Sequence, residues 1–174
     1  LQRDFTRNGL PPAPGSKWLF AEQADTLEEI AASKGKSFYH GPLARKMVAH
    51  AQTLGGVQTL EDFAGHKADW VTPIRLDYKT VRLHEIPPNG QGLAALLCLG
   101  ILREYDLPRY PVDSTDSVHL QIEAMKLAFA DSFRYISDPA GMDVPVESLL
   151  SRNYLQSRAA LIRMDQAGKP VHGI

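Results

Sequence analysis

Along most of the chain the apolar positions recur with a helical period, and they switch to a strand-like period only once. From Gln23 to Ser33, Leu27, Ile30 and Ala31 stand at i, i+3 and i+4, and Gly35 follows as a stop signal. A second helix is predicted from Pro42, a favoured first-turn residue, to Leu54. Its stripe is Leu43, Met47, Val48, Ala51 and Leu54, closed by Gly55-Gly56. A short third helix begins after Thr59, where Asp62 completes a capping box with aspartate in the usual glutamate place. Pro11-Pro12-Ala13-Pro14-Gly15-Ser16 ahead of these is loop, because proline fixes φ and lacks the N–H a helix needs. Trp70 to Tyr78 and Thr80 to Ile86, rich in β-branched and aromatic residues, predict two strands paired antiparallel around Lys79. Pro87-Pro88-Asn89-Gly90 breaks the second strand.

The helical period then returns. Gln91 to Tyr105 is apolar nearly all round, the mark of a helix buried on most sides. The longest helix, about Thr115 to Tyr135, has N-cap candidates in Asp113-Ser114-Thr115-Asp116 and an apolar stripe of Val118, Ile122, Met125, Phe129 and Phe133. Asp138-Pro139 and Pro145 punctuate a loop, two further helical pieces are predicted over Glu147–Leu150 and Tyr154–Met164, and Gly168-Lys169-Pro170 opens a polar tail. No internal repeat is present. The predicted class is α+β, mostly helical, with helices around a short two-stranded antiparallel element. Residues 1–174 are taken as a single domain, with 1–17 and 167–174 as loop or tail.

Hydrophobic residues make up 44% and charged residues 22%, which argues for a packed core rather than disorder. Nineteen basic against 20 acidic residues give a net charge of −1, so no field favours nucleic acid or an anionic membrane surface. The longest apolar run, Leu93 to Leu102, is far shorter than the ~20 residues of a bilayer span. One cysteine, Cys98, excludes an internal disulfide and a cysteine-rich metal site. Leu1 to Gly9 carries no apolar leader core, and the chain opens in what reads as mid-domain sequence, as expected of a fragment.

The candidate chemistry is thin. His119 and Glu123 stand one helical turn apart, but no second ligand pair accompanies them, so a solvent-facing pair is the expectation. Asp131 and Asp138 could divide acid and base roles. Their spacing fits better one helix-surface charge and one aspartate opening a turn before Pro139. Asn89-Gly90-Gln91-Gly92 precedes a helix as an anion-binding loop would, without the Lys-Ser/Thr ending or βαβ setting of a nucleotide site; a tight turn is expected. Cys98 lies in the most apolar helix and is a poor nucleophile. No serine occupies a Gly-x-Ser-x-Gly elbow, and His40, His50, His66, His84, His119 and His172 are scattered without partners. The residues thus nominate no catalytic, cofactor-binding or metal-binding side chain.

Five strings in order nevertheless resemble the γ-glutamyltranspeptidase family. They are Phe38-Tyr39-His40-Gly41-Pro42-Leu43-Ala44; Gly55-Gly56-Val57-Gln58-Thr59-Leu60-Glu61-Asp62-Phe63; Pro87-Pro88-Asn89-Gly90-Gln91-Gly92; Glu123-Ala124-Met125-Lys126-Leu127-Ala128-Phe129-Ala130-Asp131; and Tyr135-Ile136-Ser137-Asp138-Pro139 with Val144-Pro145. Among them, Gly41 and Gly55-Gly56 sit at helix boundaries, Thr59 and Asp62 cap a helix, Pro87-Pro88 ends a strand and Gly92 permits a close helix start.

The resemblance implies the C-terminal part of the large subunit of an N-terminal nucleophile hydrolase of αββα fold. It implies as partners the small subunit of the same precursor, which carries the attacking N-terminal threonine, and a γ-glutamyl small molecule; it implies no cofactor. By family order the threonine follows Ile174, and the arginine that binds the substrate carboxylate precedes Leu1. A periplasmic or secreted location is implied by the resemblance, while the sequence leaves the cytoplasm open. Ser132 stands where the family usually has arginine, Ile136-Ser137 replaces Leu-Gly, and the Pro-Pro turn lacks a third proline. These departures leave glutathione, another γ-glutamyl compound, or the glutaryl amides of related acylases as the substrate. The rival reading is a non-catalytic helical module that binds a partner through bare apolar faces.

Overall fold

The computed structural model describes residues 5–174, which divide into two compact units, one ending at Asp69 and the other running from Trp70 to Ile174. The loop predicted over 1–17 begins in residues 1–4, outside the described residues; from 11 to 17 no helix or strand forms.

The first unit holds α1 (Ala21–Ala32), α2 (Lys36–His40), α3 (Pro42–Thr53) and α4 (Leu60–Gly65). Its boundaries follow local chemistry. Pro42 opens α3, and the Thr59 hydroxyl accepts the Asp62 N–H at 3.2 Å while the Asp62 carboxylate accepts the Thr59 N–H at 2.7 Å. This is the predicted capping box. Gly35 and Gly55 take left-handed φ of 83° and 79°; Gly41 does not, and is needed for space, since a Cβ there would sit 2.5 Å from Ser37 Cα. Leu43, Ala44 and Val48 of α3 are buried, whereas Leu54 is exposed because it lies beyond the last turn. Leu27 on α1 is exposed too, and α1 buries no residue. Phe38 meets Phe63 edge-on and Tyr39 stacks on His66, so two of the recognised strings pack together.

The second unit begins with the hairpin of β1 (Ile74–Tyr78) and β2 (Val81–Glu85). It pairs antiparallel in the register Leu76↔Leu83 and Tyr78↔Val81, and Lys79 takes a φ of 53° at the turn. The first strand starts four residues later than predicted, because Pro73 has no N–H for the ladder. Then follow α5 (Gly92–Leu102), α6 (Thr115–Tyr135), α7 (Val146–Leu149) and α8 (Arg152–Ala159). Between them, Leu107–Arg109 and Pro139–Gly141 form single 3-10 turns.

The core gathers on α5, which packs against the hairpin, α6 and α8. Leu93, Leu96, Leu97 and Ile101 of α5, Leu120 of α6, Leu149 of α7 and Leu155 of α8 lose all exposure, each worth roughly 1.5–3 kcal/mol of transfer free energy. Two glycines set the approach distances. A Cβ on Gly92 would come 2.8 Å from Glu85 Cβ, and one on Gly100 2.6 Å from Leu155 Cδ1. The fold is α+β and mostly helical, as predicted.

One packing face is the reverse of the expected one. The stripe predicted to bury α6 points outward: Val118, Ile122, Met125 and Phe133 are exposed, Phe133 by 86%. The helix instead buries Ser117, Leu120, Glu123, Ala124, Leu127, Ala128, Asp131, Ser132 and Tyr135, nearly the opposite side at 100° per residue. Both sides are apolar enough to satisfy a helical period, so periodicity alone chose the wrong one.

Candidate functional site

The charges on the buried side of α6 make the most organised polar site among the described residues. The helix starts where the Ser114 hydroxyl accepts the Ser117 N–H, and its uninterrupted 21 residues place Glu123, Lys126, Asp131 and Tyr135 over its last four turns. Helix α8 is capped by Ser151 and brings Arg158 inward. Asp131 is fully buried and Arg158 is 3% exposed; the Arg158 Nε donates to Asp131 Oδ2 at 3.0 Å. A terminal nitrogen of the same guanidinium donates to the carbonyls of Val171 at 2.7 Å and Leu127 at 3.5 Å. The other carboxylate oxygen, Oδ1, accepts the Gly173 N–H at 2.8 Å.

One turn or more earlier on the helix, buried Glu123 accepts from Lys126 Nζ at 2.6 Å and from the Gly168 N–H at 3.0 Å. Lys126 Nζ also donates to the Gly168 carbonyl at 2.7 Å. Desolvation alone would raise the Glu123 pKa; the Lys126 ammonium and the Gly168 N–H together outweigh it and hold the carboxyl below its ordinary range. The Tyr135 hydroxyl donates to the Gly173 carbonyl, and the His172 ring meets the Tyr135 ring edge-on. Tyr154, whose buried hydroxyl has no hydrogen-bond partner, is pushed above the usual phenol range by burial and then by the Asp131 charge.

These positions correct two expectations. The His119–Glu123 pair is not solvent-facing: Glu123 turns inward to Lys126 and Gly168, while His119 Nε2 lies 2.8 Å from the Arg163 carbonyl. Asp131 is no helix-surface charge but the centre of a buried ion pair. It is not joined with Asp138, whose exposed carboxylate accepts the Ala140 N–H at 2.9 Å and starts the turn at Pro139 as expected. Asn89 to Gln91 form the tight turn before α5. Burial pushes the Cys98 thiol up to about 11, which keeps it protonated and inert at neutral pH. Among the described residues no group of three His, Cys, Asp or Glu could hold a metal ion, and no helix is long and apolar enough to cross a membrane.

Chemically, the two carboxylates of the cluster are engaged and the Tyr154 hydroxyl is not. Each oxygen of Glu123 and Asp131 accepts from a protein donor, and the Tyr135 hydroxyl lies 3.3 Å from His172 Nδ1. Its contacts are those of a support. Sequence reasoning missed Arg158, Tyr135 and the tail backbone. The available signal was that Glu123 and Asp131 share one side of α6 with Leu120, Ala124 and Leu127, where lone charges are costly to bury.

Comparison with known proteins gives the chain its family. The gamma-glutamyltranspeptidase family model matches residues 1–172. The chain belongs to that family. It is 38% identical over 155 residues to a glutathione hydrolase-like proenzyme of Bacillus subtilis, covering 89% of this chain and 30% of that protein. It is 34% identical over 164 residues to a glutathione hydrolase proenzyme of Escherichia coli, covering 94% of this chain and 28% of that one. Among solved structures, a cephalosporin acylase from Bacillus halodurans superposes with a TM-score of 0.81 at 44% identity, over 99% of this chain and 32% of that one. The chain therefore spans about 30% of the length of its relatives. It shares with these family members a portion of the N-terminal nucleophile hydrolase fold. The family strings now have physical roles: Thr59 and Asp62 cap α4, Gly92 lets α5 start close to β2, and Glu123, Lys126 and Asp131 hold the tail.

Proposed function

We propose that residues 1–174 are the large-subunit scaffold of an acyl-transferring amide hydrolase and that no side chain of this stretch is catalytic. The observation that carries this reading is the family match over 1–172 on a chain whose buried carboxylates are engaged by internal contacts. In this reading the whole precursor cleaves itself, and a threonine then heads the small subunit. Its hydroxyl attacks the substrate amide with its own α-amino group as base, and the acyl group passes to water or to an amino acid or peptide. The exposed apolar side of α6 supports a stretch that belongs to a larger fold.

The substrate class proposed first is a γ-glutamyl amide, glutathione or a relative, in line with the names of the two proenzymes. A second reading, a glutaryl or cephalosporin-type amide, is favoured by the 44% identity to the Bacillus halodurans acylase. The two acyl groups differ by one α-amino group. The test is a longer polypeptide carrying the upstream segment and the downstream threonine, followed on a denaturing gel and then assayed with γ-glutamyl and glutaryl anilides. Two chains should appear, replacing that threonine with alanine should abolish both cleavage and turnover, and the preferred anilide decides the substrate. A polypeptide that stays intact and inert would remove the reading.

A further inference from the structure

The tail from Gly168 to Gly173 has no regular secondary structure, and Val171 in its middle is 73% exposed. Apolar packing does not explain its path. Polar contacts do, three of them from α6 and one from Arg158 of α8. Glu123 and Lys126 grip both the N–H and the carbonyl of Gly168; Arg158 takes the Val171 carbonyl; Asp131 takes the Gly173 N–H. The tail thus runs along α6 in the direction of the helix, from Glu123 toward Asp131 and the last turn at Tyr135. All four anchors bind backbone, so they fix where the chain goes whatever side chains it carries.

The approach is close. A Cβ on Gly168 would lie 2.9 Å from Glu123 Oε2, and one on Gly173 would collide with the Tyr154 hydroxyl. A buried ion pair recovers its desolvation cost only when its remaining donors and acceptors are satisfied. For Asp131 and Arg158 the tail supplies two of those bonds, so pair and tail depend on each other.

We propose that Glu123, Lys126, Asp131 and Arg158 are positioning residues for self-cleavage: they clamp Gly168–Gly173 to α6 so that the following chain departs from a fixed point at the end of that helix. This rests on the reading that a self-cleaving threonine follows. In that step the threonine hydroxyl oxygen adds to the carbonyl carbon of the preceding peptide. The C–N bond breaks as the hydroxyl proton passes to nitrogen, and water hydrolyses the resulting ester to a carboxylate on the first chain and an N-terminal threonine, its hydroxyl restored, on the second. The step needs the hydroxyl and the carbonyl held about 3–3.5 Å apart, and misplacement of about 1 Å can cost about a hundredfold. A clamped tail shortens the free chain that must find this geometry.

The experiment uses the longer polypeptide. Asp131→Leu/Arg158→Leu removes both charges while filling the space with apolar side chains, a replacement that buried pairs tolerate. Lys126→Met acts at a half-buried ammonium, keeps the aliphatic stem, and serves if the double variant does not fold. Three readouts are taken: the self-cleavage rate, the thermal midpoint, and amide exchange at Gly168 and Gly173. The expected result is an unchanged or higher midpoint, faster exchange at both glycines, and cleavage slowed about tenfold or more. Lys126→Arg, which keeps a donor toward the Gly168 carbonyl, should restore the rate. Folded variants with a loosened tail that cleave at the wild-type rate would overturn the clamp proposal alone. A wild-type polypeptide that never cleaves would sink the functional reading itself, so the two failures are distinguishable.

Discussion

Helices α5 and α6 pack against each other but are buried by different means. Every side of α5 is apolar, eight of its eleven residues are buried, and its stability comes from leucine and isoleucine packing. The longer α6 turns larger apolar residues outward and buries Glu123 and Asp131 instead. The first helix would be held by almost any close-packed apolar set of similar volume. The second shares that core through Leu120, Ala124 and Leu127, and beside them it buries charges that each need a partner as long as the other is present. Oil makes the core of this unit, and α6 adds an addressable polar seam on its flank.

The sharpest way to break the comparison is to remove one member of the seam. Asp131→Ala strands the Arg158 guanidinium at 3% exposure, and urea unfolding should show a loss of about 3–5 kcal/mol. A loss near zero would mean that the pair is hydrated and the seam is surface. On the α5 side, Leu97→Ala leaves a cavity at a fully buried position and should cost about 2–5 kcal/mol in the same assay. A cost under about 0.5 kcal/mol, in the range of surface changes, would misplace that helix.

Acid sharpens the contrast further. The Glu123 carboxyl sits below its ordinary value of 4.5, so the unfolded chain binds this proton more readily than the folded one. Its contribution is present above about pH 4.5 and is lost as pH falls through the lowered folded value. Glu123→Gln should therefore flatten the dependence of the unfolding midpoint on pH between about 5 and 3, while Leu97→Ala should shift the whole curve without changing its slope. An unaltered slope in Glu123→Gln would contradict the Lys126 and Gly168 contacts. The smallest effect belongs to the outward side of α6: Phe133→Ser, at 86% exposure, should stay within about 0.5 kcal/mol.

What the sequence made legible was local. The Thr59–Asp62 box, the Pro42 start, the turn at Lys79 and the limits of α6 at Thr115 and Tyr135 each depend on residues within one or two turns, and each is found where predicted. The late start of β1 was also legible, through Pro73, but the richness in β-branched residues masked it. The facing of α6 was not legible, because Val118, Ile122, Met125, Phe129 and Phe133 and the opposite set around Leu120 and Leu127 have equal claims by period. The seam was beyond reach for a further reason. Asp131 finds Arg158 27 residues away and Gly173 42 residues away, and nothing in either neighbourhood announces the other. The family strings preserved its trace in Glu123, Lys126 and Asp131, whose purpose shows once α8 and the tail are folded against them.

The most direct test of the scaffold reading is a chromogenic assay of residues 1–174 alone, with γ-glutamyl and glutaryl anilides, beside the self-cleaved longer polypeptide. Oriented nucleophile, base and oxyanion donors supply most of such a rate, and the proposed reading puts them outside this stretch. The account predicts no turnover above the uncatalysed rate from residues 1–174 and measurable turnover from the cleaved polypeptide. Robust hydrolysis by residues 1–174 alone would contradict it, and would make the saturated carboxylates of Glu123 and Asp131 the first places to look for chemistry.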